Sequence, residues 1–235
     1  MIIEGSDVNH IKNVLRMKSG EKIRVCTRDG RNYFCIISDI TDSFVRADIL
    51  EKEAESTELP CRIYLFQGLP KSDTMEWIIQ KTVDLGVYEV IPVAMKNCVA
   101  KLDDKKAKAK VNRWQAIAES AAKQSKRSLI PEIKMPMTYK EALSYAKDLD
   151  VKLVPYENER GMEGTKAAVD EIKAGSRIAV FIGPEGGFSP EEIDMVRDEM
   201  QLISLGKRIL RTETAAITTL AILGYHLESS EEIQE

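Results

Sequence analysis

Histidine and cysteine are scarce in this 235-residue chain: two histidines, His10 and His226, and four cysteines, Cys26, Cys35, Cys61 and Cys98. No C-x-x-C pair occurs, which argues against a Cys/His zinc cluster and a disulfide framework, so no metal is expected. No apolar run approaches the ~18 residues that would read as a membrane span. The amino terminus lacks the basic-then-apolar order of a signal peptide. The expectation is a soluble, cytoplasmic protein with no membrane partner. Neither G-x-G-x-x-G nor G-x-x-x-x-G-K-[ST] is present, so no dinucleotide or triphosphate reading is licensed. Internal repeats and low-complexity stretches are missing as well. What remains is 43% hydrophobic and 31% charged, a composition that folds rather than one that stays disordered. A chain of this size buries roughly 70% of its unfolded surface and needs no covalent staple.

The formal net charge of −4 hides a strong asymmetry. Residues 101–134 hold ten Lys or Arg against four acids, a local net of about +6, whereas the carboxyl terminus gathers Glu228, Glu231, Glu232 and Glu235. A basic stripe can dock on phosphates even when the whole protein is acidic. The same stripe also reads as a solvated helix face.

Two periodicities divide the chain. The first sixty or so residues read as β-structure. Lys22–Arg28 alternates, Asp29-Gly30 supplies a tight-turn signal, and Asn32–Ile40, Phe44–Glu51 and Cys61–Phe66 follow. Several short strands in succession suggest a small barrel, with Asp7–Met17 as a short helix before them. From Gly68 onward strands alternate with helices. Asp73 and Glu76 resemble a capping box for a helix with Met75, Ile78, Ile79 and Val83 on one face. Val87–Met95, Val151–Pro155, Arg177–Ile182 and Leu202–Leu205 read as strands. Lys105–Lys126, Lys140–Asp148 and a segment from Thr212 or Thr214 to about His226 read as helices. Ser189-Pro190-Glu191-Glu192 is a helix start. This order implies a mainly parallel α/β sheet, with the domain boundary at Leu69-Pro70: residues 1–68, then 69–235.

Open α/β sheets bind ligands at the carboxyl ends of their strands. Two segments arrive there. Gly183-Pro184-Glu185-Gly186-Gly187-Phe188 leaves a buried strand and enters the helix capped by Ser189. Its glycines allow close backbone approach to a ligand, or merely make a structural turn. Leu205-Gly206-Lys207-Arg208-Ile209-Leu210-Arg211-Thr212-Glu213-Thr214-Ala215 sets cations, a carboxylate and hydroxyls between a strand and a helix. Taken alone, these also read as helix capping with surface ion pairs.

Together, the segments Ile182–Ser189 and Leu205–Ala215 resemble the SPOUT-class RNA methyltransferases. More closely they resemble the ribosomal RNA small subunit methyltransferase E family, which methylates N3 of a uridine in small-subunit ribosomal RNA. Other matching pieces cover most of the chain. They are His10 with Val14-Leu15-Arg16 and Gly20; Lys71 to Gly86; and Arg113-Trp114, Glu119, Gln124-Ser125, Arg127 and Pro131. The chain departs from the family at Met95-Lys96-Asn97-Cys98, where many relatives carry an Arg and where Lys96 partly substitutes. It departs again at Asp84, where Glu is commoner.

The resemblance implies a PUA-like RNA-binding β-barrel followed by a SPOUT α/β domain with a carboxyl-terminal trefoil knot, a topology no periodicity could have revealed. It implies a homodimer that binds S-adenosylmethionine near Val154, Gly183, Glu185 and Gly186 on one side. Leu205, Leu210, Arg211 and Thr214 form the other side. Arg211 is expected at the uridine edge, with Glu213 as proton acceptor or as the orienter of Arg211. RNA would meet His10, Lys12, Arg16, Arg24 and Arg28, together with Arg113, Gln124 and Arg127. The substrate would be small-subunit ribosomal RNA or the assembled small subunit. His10 is also readable as plain structure, and His226 as a surface or interface residue. Two rivals remain: a ribosome-assembly factor that keeps the fold without catalysis, and a SPOUT enzyme with another RNA target. The first would carry a degraded GPEGG or RTETA segment, and both are intact here.

Overall fold

A computed structural model of the chain describes residues 1–27, 31–53, 57–100 and 103–231, in two compact units, 1–57 and 58–235. Arg28 and the Asp29-Gly30 turn lie outside the described residues.

The first unit contains β1 (Ile2–Glu4), α1 (Ser6–Asn9), a π-helical turn (His10–Val14), β2 (Lys22–Cys26), β3 (Asn32–Ile40) and β4 (Phe44–Lys52). Its strands form an antiparallel sheet in the order β1-β4-β3-β2. Alternation explains which side faces inward: Cys35 and Ile37 of β3 and Val45 and Ala47 of β4 are buried. Val8 and Ile11 join Ile37 and Val45 in one small core. The helix expected over Asp7–Met17 is thus shorter and changes its winding at His10. Thr41 closes the β3–β4 turn by accepting the Phe44 N–H at 2.9 Å.

The second unit runs β5 (Arg62–Gly68), α2 (Thr74–Asp84), β6 (Val87–Ala94), α3 (Asp104–Gln124), β7 (Glu132–Ile133), β8 (Met137–Thr138), α4 (Tyr139–Ala146), β9 (Val151–Pro155), α5 (Glu163–Asp170), β10 (Arg177–Ile182), α6 (Pro190–Asp194), β11 (Gln201–Ile203) and α7 (Thr212–Glu231). The sheet order is β11-β9-β10-β5-β6-β7, with β8 also beside β6, and the pairings are parallel. Ile178, Val180 and Ile182 bury on the face covered by α2, α3 and α7, while Ala179 and Phe181 bury on the face covered by α4 and α6. This double burial is why β10 reads as an unbroken apolar run. Among the described residues no helix is long and apolar enough to cross a membrane.

The domain boundary falls eleven residues earlier than the sequence expectation, after Thr57 rather than after residue 68. The strand at 62–68 does not belong to the barrel; it lies inside the parallel sheet, between β10 and β6. Its alternation was between two buried faces, Ile63 and Leu65 on one and Tyr64 and Phe66 on the other, not between core and solvent. Capping also divides. Ser189 and Glu192 form the expected reciprocal box on α6, and Asp103 caps α3 through the Lys106 N–H. Asp73 makes no side-chain cap on α2, and Glu76 instead binds Arg113 of α3 at 2.8 Å.

Three buried contacts place the carboxyl-edge loops. Gln67, fully buried on β5, donates from Nε2 to the Thr212 hydroxyl at 2.9 Å, and that hydroxyl donates to the Gly183 carbonyl at 2.6 Å. One side chain at the start of α7 therefore ties the segment after β10 to the end of β5. Gly68 allows the close fit: a Cβ there would lie 2.6 Å from the Pro184 nitrogen. On α3's side, Arg127 is 7% exposed and grips Glu58 through Nε and Nη2, while Nη1 donates to the carbonyls of Val83 and Val87 at 3.1 and 2.7 Å. Glu58 also accepts the Ser128 and Leu129 N–H groups. Arg127, expected on an RNA-facing stripe, is thus an internal brace: its donors are spent on the protein.

Three stability measurements follow. Arg127→Ala leaves the Glu58 carboxylate without its cation and should cost about 3–5 kcal/mol in denaturant unfolding. Arg113→Ala, which breaks an exposed pair, should cost no more than about 1 kcal/mol. Thr212→Val keeps the shape but leaves the Gln67 amide and the Gly183 carbonyl without that partner, which should cost roughly 1–3 kcal/mol by the same measurement.

Candidate functional site: a cleft at the carboxyl edge of the sheet

The segments leaving β9, β10 and β11 enclose a cleft of about 530 Å³ that continues into a smaller recess. One wall is the turn from Gly183 to Phe188. The other is the 204–213 segment, which crosses from β11 to α7. Between them, Pro155, Glu157, Ile209, Leu210 and Ala215 line both parts of the space.

Local sequence dictates these shapes. Gly187 sits at φ +67° and its N–H closes a turn on the Pro184 carbonyl at 2.9 Å. Gly206 sits at φ +108°, in the region that favours glycine, where the chain turns away from β11. Ser204 steadies this corner: its N–H donates to the Thr165 hydroxyl at 3.0 Å, and its own hydroxyl accepts the Gly206 N–H at 3.3 Å. The Glu185 carboxylate accepts the Lys71 N–H at 2.8 Å, tying the glycine turn to the segment before α2. Lys96 binds Glu191 at 2.9 Å, and this contact holds the Glu191 carboxyl well below its usual range, at about 2.

Of the residues expected to bind cofactor, Gly183, Glu185, Gly186, Leu205, Leu210 and Arg211 line the cleft. Glu213 lines it as well, half-buried in the first turn of α7. Val154 and Thr214 do not. Val154 is fully buried behind Pro155, and Thr214 is exposed on α7. Sequence reading missed Pro155, Glu157, Ile209 and Ala215. The first two follow a strand correctly located at Val151–Pro155, so the rule that ligands sit beyond strand carboxyl ends would have found them. Ile209, 85% exposed, carries no such signal.

The rim is rich in cations: Arg160, Lys207, Arg208 and Arg211 stand around the space against Glu157, Glu185 and Glu213. Arg211 is exposed. Cys98 follows β6 and packs partly buried against both cores of the second unit. Its thiol accepts the Met95 N–H, and burial pushes its pKa up, which disfavours the thiolate. Among the described residues no cluster of His, Cys, Asp or Glu has the makings of a metal site.

The expected RNA-facing residues fare unevenly. In the first unit His10 and Arg16 are exposed, Arg16 with φ +53°. Lys12 is paired with Asp42 at 2.5 Å and Arg24 with Glu53 at 2.6 Å. Arg24 is about one-fifth exposed, so its charge is largely neutralised within the unit. Arg28 lies outside the described residues. In the second unit Arg113 and Gln124 are exposed on α3, and Arg127 is the buried brace.

Comparison with known proteins agrees with this geometry. Residues 57–224 match the family described as RNA methyltransferase domain, and residues 3–50 match the RNA methyltransferase PUA domain, on either side of the division at Thr57. The ribosomal RNA small subunit methyltransferase E of Bacillus subtilis is 38% identical over 231 residues, covering 96% of this chain and 90% of its own. That of Mesomycoplasma hyopneumoniae is 37% identical, with 93% and 91% covered. The crystal structure of the Neisseria gonorrhoeae enzyme bound to S-adenosyl methionine superposes with a TM-score of 0.83 at 30% identity, covering 96% of this chain and 91% of that one. With a glycine turn and an arginine-bearing crossing segment around one carboxyl-edge cleft, and with relatives of this identity along nearly its whole length, the chain belongs to the ribosomal RNA small subunit methyltransferase E family.

Proposed function

We propose that the chain is an S-adenosylmethionine-dependent methyltransferase acting on N3 of a uridine in small-subunit ribosomal RNA, read within the assembled subunit in the cytoplasm. The observation that carries this reading is the carboxyl-edge cleft itself, with Arg211 and Glu213 on its rim.

The cleft suits the cofactor. Its volume of about 530 Å³ lies within the usual range for small-molecule sites. Leu205, Ile209, Leu210 and Pro155 offer an apolar slot for adenine, and the glycine turn from Gly183 brings backbone within reach of polar edges. Bound there, S-adenosylmethionine supplies a methyl group on a sulfonium, a leaving group that needs no acid. The protein's own task is then alignment and charge control. Arg211 presents a planar cation to the uridine edge, where negative charge develops on O2 and O4 as the N3 proton leaves. Glu213, in the first turn of α7, either takes that proton or orients Arg211.

Substrate positioning falls to exposed cations that the fold leaves available, Arg16 in the first unit and Arg113 with its neighbours along α3 in the second. Phosphate contacts fix the register, and the target base must leave its stack to enter the cleft. The crossing segment that brings Thr212 between Gln67 and Gly183 supports a knotted carboxyl-terminal path. A second copy is the favoured cover for the outer side of α7, where Ile217 and Ile222 are partly exposed and Tyr225 is 77% exposed.

Purified protein, S-adenosylmethionine and small subunits lacking the modification should yield 3-methyluridine on nucleoside mass analysis, with less or none on naked RNA. Cofactor binding without any methylated nucleoside would instead favour a non-catalytic assembly factor, and a different methylated nucleoside another target. Arg211→Ala should lower kcat by roughly 10²–10³-fold; unchanged turnover would remove it from the mechanism. Glu213→Gln should lower kcat whether Glu213 takes the proton or orients Arg211, and unchanged turnover would remove it from the mechanism. RNA affinity should fall steeply between low and moderate salt, and Arg113→Ala should flatten that dependence by about one counterion.

A further inference from the structure

Two consecutive residues after β6, Lys96 and Asn97, take hold of the glycine turn at two points. The Asn97 side-chain amide donates from Nδ2 to the carbonyls of Gly186 and Gly187, at 3.0 and 3.2 Å. Both partners are acceptors, so the amide's NH2 must face them. One residue earlier, the Lys96 backbone N–H donates to Glu192 Oε1 at 2.8 Å, and the other oxygen of the same carboxylate holds the Ser189 N–H at 2.8 Å. The turn is therefore fixed at its glycines by a side chain and just beyond them by the α6 capping box.

The fit is matched on both sides. A Cβ on Gly186 would lie 2.9 Å from Asn97 Cβ and 3.1 Å from its carbonyl oxygen. Only glycine at 186 lets the β6 end come this close, and only a short side-chain donor at 97 reaches both carbonyls. With those carbonyls bound to Asn97 and the Gly187 N–H bound to Pro184, the peptide planes of the turn have one orientation. The other side of the same turn faces the cleft.

We propose that Asn97 is the positioning residue that sets the backbone of the cofactor-facing turn, so that the site meets S-adenosylmethionine in a ready conformation. This rests on the reading of the cleft as the cofactor site. Asn97 acts through Gly186 and Gly187 and makes no contact with the reacting atoms. A turn that must be ordered on binding lowers affinity for the cofactor, while the ordered complex, once formed, reacts as before.

The test compares wild type with Asn97→Asp and Asn97→Ala. Aspartate keeps the size but sets an acceptor oxygen against two carbonyls; alanine removes the group without adding charge. Calorimetric titration with S-adenosylmethionine should give a Kd raised about tenfold or more by Asn97→Asp and about three- to tenfold by Asn97→Ala. In methyl transfer to unmodified small subunits, KM for the cofactor should rise in parallel. At saturating cofactor kcat should hold within about twofold, and KM for the subunit should not move. Should Asn97→Asp fail to fold by circular dichroism, the alanine variant carries the test. Cofactor affinity unchanged in the folded variants, or kcat falling with KM constant, overturns the role of Asn97. Wild type that binds no S-adenosylmethionine overturns the cofactor reading itself, which is a separate result.

Discussion

The cleft exists because one hydroxyl is bound from two directions. Thr212 accepts from the buried amide of Gln67 and donates to the carbonyl of Gly183, and each of these groups belongs to a different part of the sheet. Gln67 Nε2 donates both to Thr212 and to the Gly68 carbonyl at 3.0 Å, which offsets the cost of removing that group from water. Gln67 stands near the carboxyl end of β5, after the buried Leu65 and Phe66, so the hydroxyl has little choice of position. Once Thr212 is fixed, Arg211 on one side of it and Glu213 on the other are fixed as well, and they line the cleft from the start of α7. The packing of Gly68 against Pro184 completes the constraint from the opposite side.

Much of this was legible in the chain. The apolar run at Arg177–Ile182, the Ser189 capping box and the paired segments around Gly183 and Arg211 located both walls of the site. The errors have a common physical cause. Alternation at Cys61–Phe66 records which residues share a face, but not what each face meets, so a strand buried on both sides passed for one half exposed. Charge behaves in the same way. Arg127 and Arg113 are indistinguishable as letters in a basic stretch, yet one is enclosed by Glu58 and two carbonyls while the other stands in solvent with a single partner. Pairing across distant sequence also consumed Arg24, through Glu53. Short elements with little propensity signal, such as α5, β7 and β8, owe their form to the sheet they join.

The division of labour around the cleft follows from chemistry. A methyl group carried on a sulfonium asks for alignment and electrostatic control, which rigid backbone and one well-placed guanidinium can provide. On the function proposed above, the turn from Gly183 would supply the first through glycines whose carbonyls are bound by Asn97, and the crossing segment, through Arg211, the second.

Gln67 and Thr212 are 145 residues apart, and the other contact that closes the turn, Lys71 to Glu185, spans 114. During synthesis the central strand β5 therefore emerges long before the partner strand and hydroxyl that complete it. At about 5–20 residues per second it waits several seconds or more with an apolar edge unpaired. Contacts of such separation also make closure slow, because the loop entropy is lost before the burial is gained. A nascent or truncated chain ending before α7 has every strand of the parallel sheet but lacks Thr212, the hydroxyl that ties the turn after β10 to β5, so the two walls of the cleft are joined only once the start of α7 has been made.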